Sequence, residues 1–352
     1  MKLSIKASSN YDIIIKSNIL NEIYKHLNEF NSGQLFIVCY PYVLLDKAQK
    51  IHSSLKNKNY NVELLEIPDG EEYKHFDNTQ FILQKLIDLN VKRDSVLLSF
   101  GGGSIGDSVG FVASIYMRGI RYINIPSTLL AMVDSSLGGK TAINYAGIKN
   151  ILGTFYQPSK VCIDPLLLKT LDKTQIRSGL GEIIKYGFIA KREILTQILN
   201  NYNCIIQLKN QKIISKLIFE CCLIKKYYID NDEKDIGIRN ILNFGHTLGH
   251  IIESKYANKG ITHGEAVMNG IFLSVELSYF KKIMSNTNYQ NIQSIFNDLN
   301  IGYTYKLEND DIKNIKFDKK VSTNKHRFIL LKSIAQPIIC DDVSKDDILS
   351  VI

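Results

Sequence analysis

Three of the seven histidines lie close together in the sequence, at His246, His250 and His263. The first two are four residues apart and therefore share one face of a helix, whereas the third stands at the predicted start of the next helix. Two facing helices could present these imidazoles to one metal ion. The spacing is not HExxH, because residue 247 is Thr, which excludes that metalloprotease motif. Histidines that pack in a core or cap helices are the alternative.

A carboxylate and a lysine lie upstream of the histidines, in the segment 178–187 that reads SGLGEIIKYG. Glu182 and Lys185 are three residues apart on one helical face, and their apolar neighbours predict that both are half-buried. A buried carboxylate beside two histidines makes a three-ligand site of the open kind typical of catalytic zinc. The alternative is an exposed ion pair worth about 0–1 kcal/mol, which would not require the flanking glycines.

A glycine-rich loop, 101–107 with the sequence GGGSIGD, follows the apolar run Val96–Phe100. Glycines between a strand and a helix let the backbone approach a phosphate, whose charge is then met by amides at the helix N-terminus. Glycines at 101, 103 and 106 satisfy GxGxxG, but the usual acidic residue about 20 positions later is missing, because residue 121 is Arg. The loop therefore indicates a dinucleotide or phosphate site, with a plain tight turn as the alternative.

Two further turns are candidates for ligand contact. The segment 134–141, DSSLGGKT, resembles the end of a P-loop but has Asp134 where the motif needs Gly, which argues against a nucleotide triphosphatase. Lys140 is still a candidate for contacting a phosphate, although a solvated lysine on a turn is the alternative. The turn at 68–74, PDGEEYK, follows a predicted strand, a place where α/β proteins bind ligands.

Short apolar runs rich in β-branched residues alternate with helical patterns such as Thr79–Leu89 in the first half of the chain. The runs are Leu35–Cys39, Val62–Ile67, Val96–Phe100, Tyr122–Ile125 and Val161–Ile163. This alternation predicts a mostly parallel sheet with covering helices. No proline occurs between Pro165 and Pro337, which predicts helices there, since a proline inside a helix costs about 3 kcal/mol. We therefore expect an α/β domain over 1–165 and an α-helical domain over 166–352.

Composition and charge argue against several classes of protein. The 352 residues are 45% hydrophobic and 22% charged, as expected for a globular protein of two domains. No apolar run is long enough for a membrane span and no secretory leader is evident, so we expect a cytoplasmic protein without membrane contact. The net charge of +8 is spread along the chain, which favours an anionic small substrate over nucleic acid or a scaffold role. The six cysteines form no CxxC pair.

Taken together, the motifs resemble those of the 3-dehydroquinate synthase family in order and approximate spacing, over about residues 65–335. They are GGGSIGD, YMRG, VDSSLGGKTAIN, the pair Lys149-Asn150, FYQP, SGLGEIIKYG, NFGHTLGH, HGEAV and DKK at 318–320. The resemblance implies a Rossmann-like N-terminal dinucleotide-binding domain, an α-helical C-terminal domain and a cleft between them. It also implies bound NAD, a divalent metal that is usually zinc with cobalt possible, and a homodimer.

The resemblance also carries site residues over to matching positions. The implied metal ligands are Glu182, His246 and His263. The implied NAD contacts are Asp69, Gly70, Glu71, Glu72, Tyr73, Lys74, Gly103, Ser104, Ile105, Gly106, Asp107, Ser127, Thr128, Lys140, Lys149, Leu167, Leu168, Lys169 and Thr170. The implied substrate-site residues are Arg118, which in the family reaches the neighbouring subunit, Asp134, Asn150, Lys185, Lys225, Arg239, Asn243, His250 and one of Lys319 and Lys320, with Lys320 preferred.

The implied reaction converts 3-deoxy-D-arabino-heptulosonate 7-phosphate to 3-dehydroquinate and phosphate, a step of aromatic amino-acid biosynthesis by the shikimate pathway. It proceeds by transient oxidation by NAD, phosphate elimination, re-reduction and an intramolecular aldol step. Another sugar phosphate cyclase or a glycerol dehydrogenase-type polyol dehydrogenase is the alternative, but Lys225 and Arg239 favour a substrate with both phosphate and carboxylate. The chain departs from the family pattern at Cys39-Tyr40, Asn324 and Gln336.

Overall fold

The computed structural model describes residues 1–30, 33–39, 41–67, 70–312 and 325–352, which form two compact units. Unit 1 comprises Met1–Asp172 and Gln211–Lys234, and unit 2 comprises Lys173–Asn210 and Asp235–Ile352. The units are therefore not the two contiguous segments expected from the sequence. A helix from the second half of the chain packs with unit 1.

Unit 1 contains nine strands in the part of the chain that the structure describes. They are β1 (Lys2–Ile5), β2 (Tyr11–Ile15), β3 (Leu35–Cys39), β4 (Val62–Glu66), β5 (Val96–Gly101), β6 (Arg121–Pro126), β7 (Lys140–Tyr145), β8 (Ile148–Phe155) and β9 (Lys160–Ile163). In the described residues a seven-stranded sheet has the order β1-β2-β9-β6-β5-β3-β4, with β1 antiparallel to β2 and the other neighbours parallel. The antiparallel pair β7-β8 forms a separate hairpin.

The parallel strands are the apolar runs found in the sequence. All residues of β3 and β5 are buried, because helices cover both faces of such a sheet. The pairing is in register, with Ile37 of β3 opposite Leu64 of β4 and Leu98 of β5. The prediction of a mostly parallel, helix-covered sheet is therefore confirmed.

The α-helices in the described residues are α1 (Pro41–Lys56), α2 (Phe76–Asp88), α3 (Gly103–Ile115), α4 (Lys173–Ile189), α5 (Arg192–Ile206), α6 (Gln211–Asn231), α7 (His246–Lys255), α8 (His263–Phe280), α9 (Asn286–Leu299) and α10 (Lys345–Leu349). Shorter 3₁₀ helices are Ile19–His26, Asn28–Phe30, Glu71–Tyr73, Tyr116–Arg118, Pro165–Thr170, Ile238–Asn243 and Ala257–Lys259, and Ala131–Ser135 is a π-helical turn. No helix in these ranges is both long and apolar enough to cross a membrane.

Helix α6 is held to unit 1 at its C-terminal end and along its buried face. Glu233, just beyond the helix, accepts hydrogen bonds from the Ser8 amide at 2.8 Å and from Gln157 Nε2 at 2.8 Å. The Cys222 thiol, near the middle of the helix, faces the Met132 carbonyl oxygen at 3.5 Å. These contacts explain why a helix distant in sequence belongs to the α/β unit.

Unit 2 is mainly helical, as predicted, with one addition. Its chain also forms an antiparallel hairpin of β10 (Lys325–Ser333) and β11 (Gln336–Ser344). The apolar run Phe328–Leu331 packs in the core of unit 2, and Ala335 in the turn has a φ of 61°. The absence of proline permits a helix but does not exclude a strand, so the sequence criterion missed this hairpin.

Candidate metal centre and dinucleotide loops

Helices α4 and α8 touch backbone to backbone beside Glu182. A Cβ added at Gly181 would lie 2.6 Å from the Gly264 carbonyl oxygen, and one added at Gly264 would lie 2.0 Å from that of Ser178. Only glycine fits such a contact. The Glu182 side chain is fully buried next to it. Gly181, just before Glu182, and Gly264, just after His263, therefore bring these two residues together.

Both predicted histidine ligands begin a helix. Gly245, with a φ of 78°, turns the chain into α7 immediately before His246. Thr262 caps α8 before His263 through a capping box with Glu265. The Nε2 atoms of the two histidines each lie 3.4 Å from Glu182 Oε1. One ligand atom from each of these three residues lies within 4.8 Å of the others.

This spacing fits a tetrahedral metal ion. Zinc binds imidazole nitrogen and carboxylate oxygen at about 2.0–2.2 Å, so two ligand atoms of a tetrahedral site lie about 3.4 Å apart. The two Nε2–Oε1 distances have that value, 3.4 Å. Two imidazoles and a carboxylate are also a donor set that zinc and neighbouring divalent metals accept, with a position left open for a substrate.

The second nitrogen of each imidazole is already engaged. His246 Nδ1 faces the Phe244 carbonyl oxygen at 3.2 Å, and His263 Nδ1 faces Glu253 Oε2 at 3.1 Å. An acceptor at Nδ1 holds a proton on that atom, so that Nε2 is the nitrogen that faces Glu182 and could bind a metal ion. The sequence analysis missed Glu253, although its position seven residues after His246 and three after His250 places it on the same helical face.

His250 lies one turn beyond His246 on α7 and is exposed. Its ring centroid is 5.3 Å from that of His246 and 6.0 Å from that of His263. His250, Glu253 and His263 form a second group whose ligand atoms are close enough for a metal ion. The two groups differ in burial, because only the first contains a fully buried carboxylate, Glu182.

The two histidines facing Glu182 differ in protonation. Burial lowers the pKa of His246 to about 3, although the Glu182 carboxylate acts in the opposite direction. Burial also acts to lower the pKa of His263, but hydrogen bonds to Glu182 and Glu253 outweigh it and raise this pKa to about 10. His246 is thus neutral at pH 7 and can bind a metal ion directly, whereas His263 carries a proton that a metal ion would have to displace.

Two cationic side chains are buried among the described residues of unit 2. Lys185 Nζ lies 2.5 Å from Glu182 Oε2, and the lysine side chain is 1% exposed. Arg239 is 2% exposed on the 3₁₀ helix that ends at Asn243, just before His246. Charged side chains are rarely buried without a binding or pairing role, and both of these can meet an anion.

In unit 1 the predicted NAD contacts follow the carboxyl ends of parallel strands. Gly70, Glu71, Glu72, Tyr73 and Lys74 follow β4, Gly103 to Asp107 follow β5, Ser127 and Thr128 follow β6, and Leu167 to Thr170 follow β9. Since these strands are parallel, all four segments lie at one edge of the sheet. Strand order reverses between β3 and β5, the place where doubly wound sheets bind ligands. This explains why the glycine loop follows β5 and not β1.

The glycine loop leads into the N-terminus of α3. Gly102 is the N-cap residue and accepts a hydrogen bond from the Gly106 amide at 3.1 Å. A Cβ at Gly103 would lie 2.9 Å from Ser135 Oγ. The first amides of this helix can therefore receive an anion in a loop with little space for side chains.

Lys74 links three of the predicted segments. Its side chain is buried, and Nζ donates to Asp107 Oδ2 at 2.6 Å and to Asn150 Oδ1 at 2.5 Å. Burial raises the pKa of Asp107, and the Lys74 ammonium acts against that rise. Asn150, with a φ of 53°, is in β8, close to Lys149. The structure thus joins a predicted substrate residue to two predicted NAD contacts.

The buried Lys225 pairs with the half-buried Asp134 in unit 1. Lys225 Nζ on α6 donates to Asp134 Oδ1 at 2.6 Å and to the Asp134 carbonyl oxygen at 2.7 Å. Asp134 lies in the π-helical turn after β6, a type of turn frequent at functional sites. The pair could not be read from the sequence, because its partners are 91 residues apart.

Two further predicted residues, Lys140 and Arg118, also lie in unit 1. Lys140 begins β7, and Arg118 is exposed at the end of a 3₁₀ helix with a φ of 64°. Asp69, Lys319 and Lys320 lie outside the described residues, as do Tyr40 and Asn324 among the departures from the family pattern.

Comparison with known proteins gives consistent matches. Residues 64–178 match the family described as 3-dehydroquinate synthase N-terminal, and residues 179–321 match 3-dehydroquinate synthase C-terminal. The 3-dehydroquinate synthase of Clostridium tetani is 40% identical, covering 100% of this chain and 94% of that protein.

Two solved structures share the fold. A 2-deoxy-scyllo-inosose synthase complexed with carbaglucose-6-phosphate, NAD+ and Co2+ has a TM-score of 0.88 and 24% identity, covering 100% of this chain and 99% of that one. The 2-epi-5-epi-valiolone synthase of Streptomyces hygroscopicus subsp. jinggangensis, with NAD+ and Zn2+ bound, has a TM-score of 0.88 and 23% identity, with coverage of 99% and 97%.

Proposed function

The chain belongs to the 3-dehydroquinate synthase family, and we propose that it converts 3-deoxy-D-arabino-heptulosonate 7-phosphate to 3-dehydroquinate and phosphate. The observation that carries this proposal is the buried Glu182 carboxylate, with two imidazole Nε2 atoms at 3.4 Å and the Lys185 ammonium at 2.5 Å. This cluster combines metal ligands with a buried cation, and an anionic substrate with several hydroxyl groups needs both.

We assign the metal to unit 2 and NAD to unit 1. Glu182, His246 and His263 would hold a divalent metal, and zinc or cobalt suits these donors. The loops after β4, β5, β6 and β9 would hold NAD. When bound, NAD supplies a reversible hydride acceptor for C5 of the substrate, and the metal supplies a Lewis acid for two vicinal hydroxyls. The NAD, Co2+ and Zn2+ of the two similar structures support this assignment.

The chain's own residues bind the anions and move protons. In unit 2, Lys185 and Arg239 offer buried positive charge to a carboxylate or phosphate. In unit 1, Lys225 is held by Asp134 and offers a further cation. His250 is exposed one turn from His246, so it can exchange protons with solvent and pass them to a bound substrate. Asn243 and Asn150 would add neutral hydrogen bonds to hydroxyl groups.

Assembly and location complete the proposal. We assign a homodimer in which the exposed Arg118 reaches the neighbouring subunit, because the YMRG motif resembles that of the family. Sedimentation equilibrium measures the oligomeric state. A cytoplasmic location is consistent with a biosynthetic family.

The electron balance of the reaction provides the test. Loss of phosphate from the heptulosonate phosphate gives 3-dehydroquinate without net oxidation, so the hydride that NAD removes must be returned. We expect the purified protein, given the substrate, zinc and a catalytic amount of NAD, to release inorganic phosphate over many turnovers while absorbance at the NADH band stays near zero. Accumulation of NADH in step with substrate consumption, without phosphate release, would contradict the proposal and favour a polyol dehydrogenase.

A further inference from the structure

A chain of polar contacts in unit 1 joins the 71–74 turn, the start of α3 and the β7-β8 hairpin. Its members are Glu71, Lys74, Ser104, Asp107, Asn144 and Asn150. Five of these are expected NAD or substrate contacts. The sixth, Asn144 near the end of β7, has no role in the proposed function and links Glu71 to Asn150.

Both ends of the Asn144 side-chain amide make hydrogen bonds. Nδ2 donates to Glu71 Oε1 at 2.8 Å and to the Glu71 carbonyl oxygen at 3.3 Å, while Oδ1 accepts from the Asn150 amide at 2.8 Å. The Asn144 backbone amide also donates to the Lys74 carbonyl oxygen at 2.7 Å. Reversing the amide would set oxygen against the Glu71 oxygens and NH₂ against the Asn150 N–H, so the contacts fix its orientation.

The other members are connected through Asn150 and Glu71, the two partners of Asn144. Lys74 Nζ bridges Asn150 Oδ1 and Asp107 Oδ2, and the Ser104 hydroxyl lies 3.4 Å from Glu71 Oε2. The backbone of Asn150 is left-handed, with a φ of 53°, a conformation that needs an outside contact to persist. The hydrogen bond from its amide to Asn144 Oδ1 is such a contact.

We propose that Asn144 is a positioning residue, which holds Asn150 and the 71–74 turn in place relative to the glycine loop before the dinucleotide binds. The inference rests on the proposed function, because that function places NAD at these loops. Ordering the loops in advance lowers the entropy cost of binding. The amide is required in both directions, since aspartate at 144 has no donor and would oppose the Glu71 carboxylate at 2.8 Å.

The test is a double-mutant cycle on the full chain, with NAD binding measured by calorimetry. Asn144→Asp should weaken NAD binding at least tenfold when residue 71 is Glu. In the background of Glu71→Gln, whose amide can donate to the new carboxylate, the same substitution should weaken binding less than about threefold. Asn21→Asp, at an exposed position of unit 1, adds the same charge and is the matched control. Asn144→Ala, which removes the amide without adding a charge, should also weaken NAD binding, though by less than Asn144→Asp.

The outcomes separate the two hypotheses. Wild-type affinity in Asn144→Asp, or an equal loss in both backgrounds, would overturn the positioning role, because the effect would not act through Glu71. Wild-type affinity in Asn144→Ala would also overturn it, because that variant keeps neither the donor nor the acceptor of the amide. A wild-type chain that binds no NAD would instead contradict the proposed function.

Discussion

The glycine contact between α4 and α8 predicts that one methyl group can disable the metal site without touching a ligand. In Gly181→Ala the new Cβ would lie 2.6 Å from the Gly264 carbonyl oxygen, whereas ordinary contacts begin at 3.4 Å. The helices must therefore separate by about 0.8 Å, the difference between these distances. If His263 follows α8, its Nε2 moves from 3.4 Å to about 4.2 Å from Glu182 Oε1. Metal sites tolerate deviations of only about 0.2 Å.

The energetic cost sets the size of the effect. Overpacking of this kind costs about 1–3 kcal/mol, and metal binding must restore the close helix contact against it. At about 1.4 kcal/mol per tenfold change, zinc affinity should fall about 5- to 140-fold. The affinity is measured by competition with a chromophoric chelator, and circular dichroism verifies that the variant is folded.

Gly302→Ala is the matched control, because a Cβ there meets no atom within 4 Å. It should bind zinc with wild-type affinity. A folded Gly181→Ala protein with wild-type zinc affinity would refute the argument that the helix contact sets the ligand spacing.

Two other predictions use residues with clear partners. His246→Ala should lose the metal, whereas His250→Ala should keep it and turn over about 10²- to 10⁴-fold more slowly. Metal analysis and phosphate release measure these two effects. Metal loss in His250→Ala alone would favour His250, Glu253 and His263 as the ligands. At Glu233, burial acts to raise the pKa, but hydrogen bonds from Ser8 and Gln157 dominate and lower it. Its stabilisation is therefore present above the unfolded pKa near 4.5 and is lost as pH falls through the folded value. Urea unfolding at pH 6 should show Glu233→Gln less stable than wild type by about 1 kcal/mol, and this difference should shrink as pH falls below 4.5 and vanish below the lowered folded pKa. A difference that does not change with pH would exclude this origin.

The sequence predicted best those elements whose apolar pattern is continuous along the chain. Leu35–Cys39 is apolar throughout and Val96–Phe100 is apolar except for the buried Ser99, because both sheet faces are covered. The strands coincide with these runs almost to the residue. The β10-β11 hairpin was missed, because its apolar run can form either a strand or a buried helix and only pairing decides between them. The membership of α6 in unit 1 depends on contacts such as that of Glu233 with Ser8, whose partners are 225 residues apart.

The same distinction separates the site residues that the sequence could reveal from those it could not. His246, His250 and Glu182 carry a signal because helix periodicity and flanking glycines place them on defined faces. Glu253 carries the same periodic signal but looks like any polar residue on a helix until His263 is seen to contact it. Asn144 carries no periodic signal, because its function depends on a turn and a hairpin that come together only in the fold. Residues that bind a ligand directly are thus easier to predict than residues that hold them, since the latter are defined by their neighbours in space.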